Sequence, residues 1–232
     1  MHATQTALPG SEIVLIGVIT SAVVIAQATW PLVQHFQVMA HEGMHAVVGS
    51  LLTGRRVEWI KLDDKGEGGT RLVPDHGPGF LVAAFAGYLG PSAFGLLAAR
   101  MIEFGHIIAV LWVTMLFLVL LLVKLKPSFG RFTVPLAGIL IILVLKHTSQ
   151  LGEIRAAYAI TWFLLLSAVR IVWFRATVSR GAGDAGILKD GTGLPQTIWF
   201  VLWLCGTLTA VVIGAHWMLF PVVHAAVHPV AR

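Results

Sequence analysis

Seven apolar segments dominate this chain of 232 residues, and several are long enough to cross a lipid bilayer. A spanning helix needs about 20 mostly apolar residues. Only 12% of the residues are charged, against about 25% in a soluble domain. The segments lie at about 12–29, 31–53, 78–101, 106–123, 132–147, 155–174 and 195–220. We therefore predict an all-α polytopic membrane protein with about six to seven transmembrane helices.

Two long polar connections interrupt these segments. Residues 54–77 place strand-forming residues on both sides of a charged, Gly-rich centre, which predicts a small β-hairpin after the second helix. Residues 175–194 are too polar and Gly-rich to span a membrane, and we expect a loop there. Because there are no repeats and no separate soluble region, residues 1–232 form one membrane-embedded domain. Cys205 is the single cysteine, which excludes an internal disulfide and a cysteine-based metal site.

Basic residues predict which loops face the cytoplasm, because Lys and Arg concentrate in cytoplasmic loops of membrane proteins. They cluster after the second, fourth and sixth segments, which lie on one side by parity. These residues are Arg55, Arg56, Lys61, Lys65 and Arg71, then Lys124, Lys126 and Arg131, then Arg175, Arg180 and Lys189. The formal net charge of +5 therefore indicates orientation in a membrane, and we expect no nucleic-acid partner.

The second segment contains the motif H-E-x-x-H at residues 41–45. Because helical residues four apart share a face, His41 and His45 can bind one Zn²⁺ while Glu42 lies beside it. Glu42 is then the candidate general base, since zinc lowers the pKa of water to about 7 and a carboxylate can take the proton. Such a motif also arises by chance, so its context decides.

The context of the motif is a polar stripe on an apolar helix. Gln34, Gln37, His41 and His45 recur at helical spacing, and titratable groups inside a membrane helix usually mark a site. The plainer alternative is that these polar groups only hold helices together. That alternative explains a glutamine more readily than a histidine pair flanking a glutamate.

A hydrolytic zinc site needs a third protein ligand and an open position, and few carboxylates are available. Glu103 lies near the opposite membrane face, and Asp63 and Asp64 fall at the expected hairpin tip. Asp184 and Asp190 remain, both on the side where the motif helix ends by parity. The residues alone do not choose between them, and a solvent-exposed loop aspartate is an equal alternative for either.

Three stretches together resemble the site-2 protease family of intramembrane zinc metalloproteases, in particular a short bacterial branch without a PDZ domain. They are "HEGMHAVVGSLLTGRRV" from His41, "AGYLGPSAFG" from Ala86 and "GDAGILKDGTGLPQTIWFVLW" from Gly183. The resemblance implies Zn²⁺ bound by His41, His45 and Asp184. Family members carry this aspartate in a helix, whereas here it lies in the segment expected to be a Gly-rich loop.

The resemblance also implies that the hairpin receives the substrate as an added β-strand. The expected binding strand is Gly69, Thr70, Arg71, Leu72 and Val73. Gly90 and Pro91 are further candidates, because a proline kink beside the zinc would free backbone groups to bind the scissile peptide. The alternative for this stretch is close helix packing through small residues.

These observations predict an intramembrane zinc endopeptidase that cleaves a transmembrane segment of another protein. It would lie in the lipid bilayer as a multi-pass protein of the plasma membrane, the bacterial inner membrane, with its active site toward the cytoplasm. One alternative is a non-proteolytic, zinc-containing membrane scaffold of the same fold, for which Glu42 would have no purpose. The other is a metal or proton transporter, which requires further ligands along a path. The sequence indicates neither the substrate nor the oligomeric state.

Overall fold

The computed structural model describes residues 5–177 and 183–222, which form eight helices and a two-stranded sheet. In chain order the elements are α1 (Gly10–Ile25), α2 (Trp30–Val47) with a π-helical continuation (Val48–Leu52), β1 (Arg56–Leu62), β2 (Gly68–Val73), α3 (Pro78–Glu103), α4 (Ala109–Lys124), α5 (Gly130–His147), α6 (Gln150–Thr177), α7 (Asp184–Thr192) and α8 (Gln196–Leu219). A mostly helical membrane protein with a small hairpin after the second helix is thus confirmed.

By length and composition, four helices (α3, α5, α6 and α8) can cross a membrane. A fifth candidate is α1 together with α2 and its continuation, which pass jointly but are bent by 102°. The sequence predicts six to seven spans, because the first two segments count separately and the fourth counts as a span. In the structure α1 and α4 each have 16 residues, and both are therefore short for a bilayer.

The bend between α1 and α2 is stabilised from α6. The guanidinium of Arg170 donates hydrogen bonds of 2.5 Å to the carbonyl oxygens of Val24 and Ile25, and it lies 4.4 Å from the ring centroid of Trp30. The last carbonyls of a helix lack intrahelical partners, and such groups are costly in hydrocarbon. Arg170 therefore explains how the chain can break here inside an apolar environment.

Helices α3, α6 and α8 form the centre of the bundle through close contacts at small residues. A Cβ added at Gly95 of α3 would lie 2.9 Å from the Leu165 side chain, and one added at Gly214 of α8 would lie 2.6 Å from it. Leu165, on α6, is fully buried. Small residues that let helices approach are a common basis of packing in membranes. Here they hold α3, which carries part of the site, against α6.

The antiparallel hairpin is held at one edge and open at the other. The backbone N–H of Lys126, beyond α4, donates 2.8 Å to the carbonyl of Ile60 in β1. Buried Arg55 donates to the carbonyls of Pro74 and His76 at 2.7 and 2.8 Å, which ties down the base of the hairpin. In the described part of the chain no strand pairs with the outer edge of β2.

The prediction of a Gly-rich loop over 175–194 is wrong for most of that range. Helix α6 continues to Thr177, and Asp184–Thr192 forms α7. This helix exists because Ala185 and Leu188 are buried against α8, where Phe200 and Trp203 share their cluster. Gly193 ends α7 in the left-handed region, with φ of 76°, which a glycine adopts without strain. Arg180, a predicted cytoplasmic residue, lies outside the described residues.

Candidate metal centre

Three side chains from two distant helices converge at the centre of the site. His41 and His45 lie one turn apart on α2, with their Nε2 atoms 3.1 Å from each other. Asp184 Oδ2 lies 3.1 Å from His41 Nε2 and 3.3 Å from His45 Nε2. Three donor atoms that each lie about 2.0–2.2 Å from one zinc ion are about 3–4 Å apart. The structure therefore brings together the three predicted ligands.

Asp190 is not part of this cluster. It is exposed near the end of α7, whereas Asp184 is the first residue of that helix and its side chain is only 14% exposed. Gly183 precedes Asp184 and has a positive φ of 95°, a conformation that allows the chain to turn just before α7 begins. Burial alone would raise the pKa of Asp184, but the neighbouring imidazoles, His45 first, outweigh it and hold the pKa below its ordinary value. Of the two aspartates, only Asp184 faces the histidines.

Backbone contacts orient His45. Its Nδ1 lies 2.8 Å from the carbonyl oxygen of Ala83 in α3, and because a carbonyl only accepts, Nδ1 carries the proton. Nε2 therefore points toward Asp184 and His41. Metal-binding histidines almost always donate their other N–H in this way, so the contact prepares His45 as a ligand.

His41 packs against an aromatic ring, and its Nε2 faces His45 and Asp184. Its imidazole meets the ring of Tyr88 edge to face, with centroids 4.7 Å apart. Among the described residues, His41 Nδ1 has no hydrogen-bond partner, and the same holds for Oε1 of Gln37 one turn earlier on α2. Both atoms are buried on the polar stripe that the sequence predicts.

The close approach of α3 to α2 depends on Gly87. A Cβ at this position would lie well inside van der Waals contact with the imidazole of His45 and 3.0 Å from Cε1 of His41. Any larger residue would push the imidazoles away from Asp184. The sequence does not show this role of Gly87, because nothing local indicates that a histidine pair lies opposite.

The donor set fits a zinc ion. Two imidazole nitrogens and one carboxylate oxygen are typical zinc ligands, and catalytic sites use three protein ligands. His45 Nε2 and an Asp184 oxygen lie only 3.3 Å apart, a distance at which either a proton or a metal ion lies between the two atoms. His41, His45 and Asp184 are therefore the residues that could hold the metal.

Glu42 lies beside this cluster and is almost completely buried, with 3% exposure. Its ligand atom lies within 4.8 Å of those of both histidines. Thr70 Oγ1 donates to Glu42 Oε2 at 2.8 Å and approaches the carbonyl of Glu42 at 3.1 Å. The carboxylate can therefore accept a proton from a molecule bound at the cluster, which is the position that a general base requires.

A polar cavity of about 350 Å³ opens over the cluster, between the hairpin and helices α3, α6 and α7. Gly69, Thr70 and Leu72 from the predicted binding strand line it. The other two predicted strand residues, Arg71 and Val73, do not. Side chains alternate between the faces of a strand, so Arg71 points away from the cavity. It makes an ion pair with Asp75 at 3.0 Å.

Gly90 and Pro91, which are predicted to bind substrate, are not among the residues that line the cavity. A Cβ at Gly90 would lie 2.6 Å from Cβ of Met44 and 2.8 Å from the carbonyl of Ala40. Pro91 is buried inside α3, which continues without a break from Pro78 to Glu103. The contacts of Gly90 are those of close helix packing, the alternative stated for this stretch.

Two residues at the cavity rim were missed by sequence reasoning. Glu67 precedes β2 and Arg175 is near the end of α6, and their side chains form an ion pair of 3.3 Å across the cavity. Tyr88 and the carbonyl of Ala83 were missed as well. The only available signal was that "AGYLGPSAFG" places Tyr88 on the face of α3 that carries its small residues.

Comparison with known families agrees with this geometry. The model of the family described as Peptidase M50B-like matches residues 14–214, which include every residue of the cluster. The chain therefore belongs to this family of membrane metallopeptidases, and the resemblance to site-2 proteases is confirmed. No curated protein and no solved structure matches the chain.

Proposed function

We propose that this protein is an intramembrane zinc endopeptidase that hydrolyses a peptide bond in or near a transmembrane segment of another membrane protein. The observation that carries the proposal is the convergence of His41, His45 and Asp184 at 3.1–3.3 Å, with the buried Glu42 beside them. A zinc ion held by these three residues would polarise a peptide carbonyl and acidify water.

The residues of this chain then have separate tasks. Glu42 takes the proton of the attacking water on its carboxylate and gives it to the leaving amine nitrogen, as the hydroxyl adds to the carbonyl carbon and the C–N bond breaks. Asp184 and the two imidazoles would hold the zinc ion. The substrate must be extended, because a helix hides its carbonyls in hydrogen bonds. The open edge of β2 beside the cavity can bind such a segment by strand addition.

Charge and hydropathy support the proposed location. The hairpin and the α6–α7 region meet at the ion pair of Glu67 with Arg175, so both lie at one end of the helical bundle. Both are rich in basic residues, which favours the cytoplasmic side. We propose a multi-pass protein of the plasma membrane, with a lipid bilayer around it and the active site toward the cytoplasm, in a bacterial inner membrane.

A non-proteolytic scaffold that keeps zinc for structure is the second candidate. It would bury His41, His45 and Asp184 equally well, but it has no use for a carboxylate beside them. A transporter is less well supported. Within the described residues, metal-binding side chains group together in one place, around His41, Glu42 and His45, whereas a transport path needs ligands in succession.

The test compares wild-type protein with Glu42→Gln, which keeps the size but removes the base. Membranes of cells that express each variant would be analysed for new protein N-termini, and zinc would be measured in the purified proteins. We expect equal zinc and new termini, within or beside transmembrane segments, in the wild type alone. A positioned general base contributes about 10²–10⁴-fold. Identical termini at equal zinc would contradict proteolysis and favour the scaffold.

A further inference from the structure

Strand β2 contacts the side chain of Glu42 at two positions, Gly68 and Thr70, which lie on the same face of the strand. Thr70 Oγ1 donates to Oε2 of Glu42 at 2.8 Å. At Gly68, an added Cβ would lie 2.6 Å from Oε1 and 2.7 Å from Cγ of Glu42. The strand therefore forms a wall against the carboxylate, with a hydrogen bond to one oxygen and close backbone packing against the other.

This wall is rigidly supported. Behind it, β1 is bonded to the chain beyond α4 through Lys126 N–H and the Ile60 carbonyl at 2.8 Å, and Arg55 secures the base of the hairpin. A threonine side chain has restricted χ1 freedom because it branches at Cβ. The hydroxyl of Thr70 is thus a fixed donor, and it limits how the carboxylate of Glu42 can rotate.

We infer that Thr70 is a positioning residue for the general base, and that β2 therefore orients Glu42 as well as offering its edge to the substrate. This inference rests on the proposed function. The two tasks use different parts of the strand, since the side chain of Thr70 faces α2 while strand addition uses backbone groups at the open edge. Loss of the hydroxyl should consequently slow the chemical step and leave substrate affinity unchanged.

The main experiment uses Thr70→Val, which has nearly the same shape without the hydroxyl, and Thr70→Ser, which restores it. The full-length variants would be reconstituted in liposomes with a membrane protein whose new N-terminus depends on Glu42. A hydrogen bond to a charged group is worth enough to predict a fall in kcat of about 10-fold or more for Thr70→Val. We expect KM and zinc content within about 2-fold of wild type, and near-normal kcat for Thr70→Ser.

Three results would overturn the inference. An increase in KM at constant kcat would make Thr70 a substrate contact. Loss of zinc or of thermal stability in Thr70→Val would make it structural. Unchanged kinetics would remove it from the site. Each result differs from the others, and none depends on the unknown regulation of the protein.

A second pair of variants disturbs the same wall from its other position. Gly68→Ala should push the strand or the Glu42 carboxylate and lower kcat by at least as much as Thr70→Val. Gly138→Ala in α5 is the control, because a Cβ there would meet only Met115 Sδ at 3.6 Å and the residue lies outside the site, and we expect activity near wild type. Equal activity of the two alanine variants would contradict the role of the wall.

The contact between Thr70 and Glu42 can also be tested without any cleavage assay. Absence of cleavage would then contradict the proposed function alone. Hydrogen exchange of residues 68–73 would be measured in wild type, Thr70→Val, Glu42→Met and the double variant. If Thr70 and Glu42 hold each other, either single change should speed exchange several-fold, and the second change should add little. Independent, additive effects would show that the hydrogen bond does not connect the strand to α2.

Discussion

The two faces of α2 border very different spaces. One face presents His41, Glu42 and His45 to the polar cavity of about 350 Å³. The opposite face presents Phe36, Met39 and Ala40 to a cavity of about 520 Å³ between α1 and α3–α6, whose lining is apolar apart from two threonines. The polar face is closely constrained by α3, α7 and the hairpin, whereas the apolar face has room to adjust.

This difference shows how a hydrolytic site can exist inside a membrane protein. His41, Glu42 and His45 lie on one side of one helix, where each contacts a residue of another element. The other side remains compatible with hydrocarbon. The comparison predicts that changes on the polar face alter metal binding and catalysis, while equally large changes on the apolar face alter stability at most.

The largest effect is expected at the third ligand. Asp184→Ala should remove one of three donors, so zinc affinity should fall by more than the 10–100-fold typical of losing an outer-shell partner, and proteolysis should be lost. Asp190→Ala changes an exposed carboxylate on the same helix and is the matched control. Zinc content after competition with a chelator measures both. Retention of zinc by Asp184→Ala, or its loss from Asp190→Ala, would contradict the assigned ligand.

The next effect tests how tightly the polar face is enclosed. Gly87→Ala would place a methyl group against the imidazole of His45, so the ligands must separate or α3 must move away. We expect zinc affinity to fall by about 10–100-fold, as for a displaced outer shell. Gly138→Ala in α5 is the control, because its Cβ would meet only Met115 Sδ at 3.6 Å. Normal zinc binding by Gly87→Ala would mean that the two helices are loosely packed.

Sequence reasoning reached the parts of the site that local spacing determines. His41, Glu42 and His45 lie within five residues on one helix, so helical geometry alone relates them. Asp184 is far away in the chain, and the residues left it equal with Asp190 until the family resemblance favoured it. Its helix was missed because glycines obscured the burial of Ala185 and Leu188. Gly87 and the bond from Thr70 to Glu42 depend on tertiary packing, which no local pattern reports.

A smaller effect is expected when the same kind of clash is made on the apolar face. A Cβ at Gly43 of α2 would overlap the end of the Phe117 ring, but that side chain borders the large apolar cavity and can turn into it. Overpacking costs about 1–3 kcal/mol, and replacing a helical glycine by alanine returns up to about 1 kcal/mol. Gly43→Ala should therefore keep zinc and cleavage, with a modest change in thermal unfolding. Loss of zinc would show that the two faces are coupled.

The smallest effect is expected from filling the apolar cavity itself. Ala137 of α5 is buried at its wall. Ala137→Leu adds apolar volume where there is space, so the free energy of unfolding should change by less than the ~1–3 kcal/mol that overpacking a filled core costs. Val212→Leu, on an exposed part of α8, controls for added hydrophobicity. Zinc content and cleavage should equal wild type in both variants, because the cavity lies on the face of α2 turned away from the ligands. A fall in cleavage of 10-fold or more for Ala137→Leu alone, at normal zinc, would place this cavity on the route of the substrate and would end the division of α2 into a catalytic and a passive face.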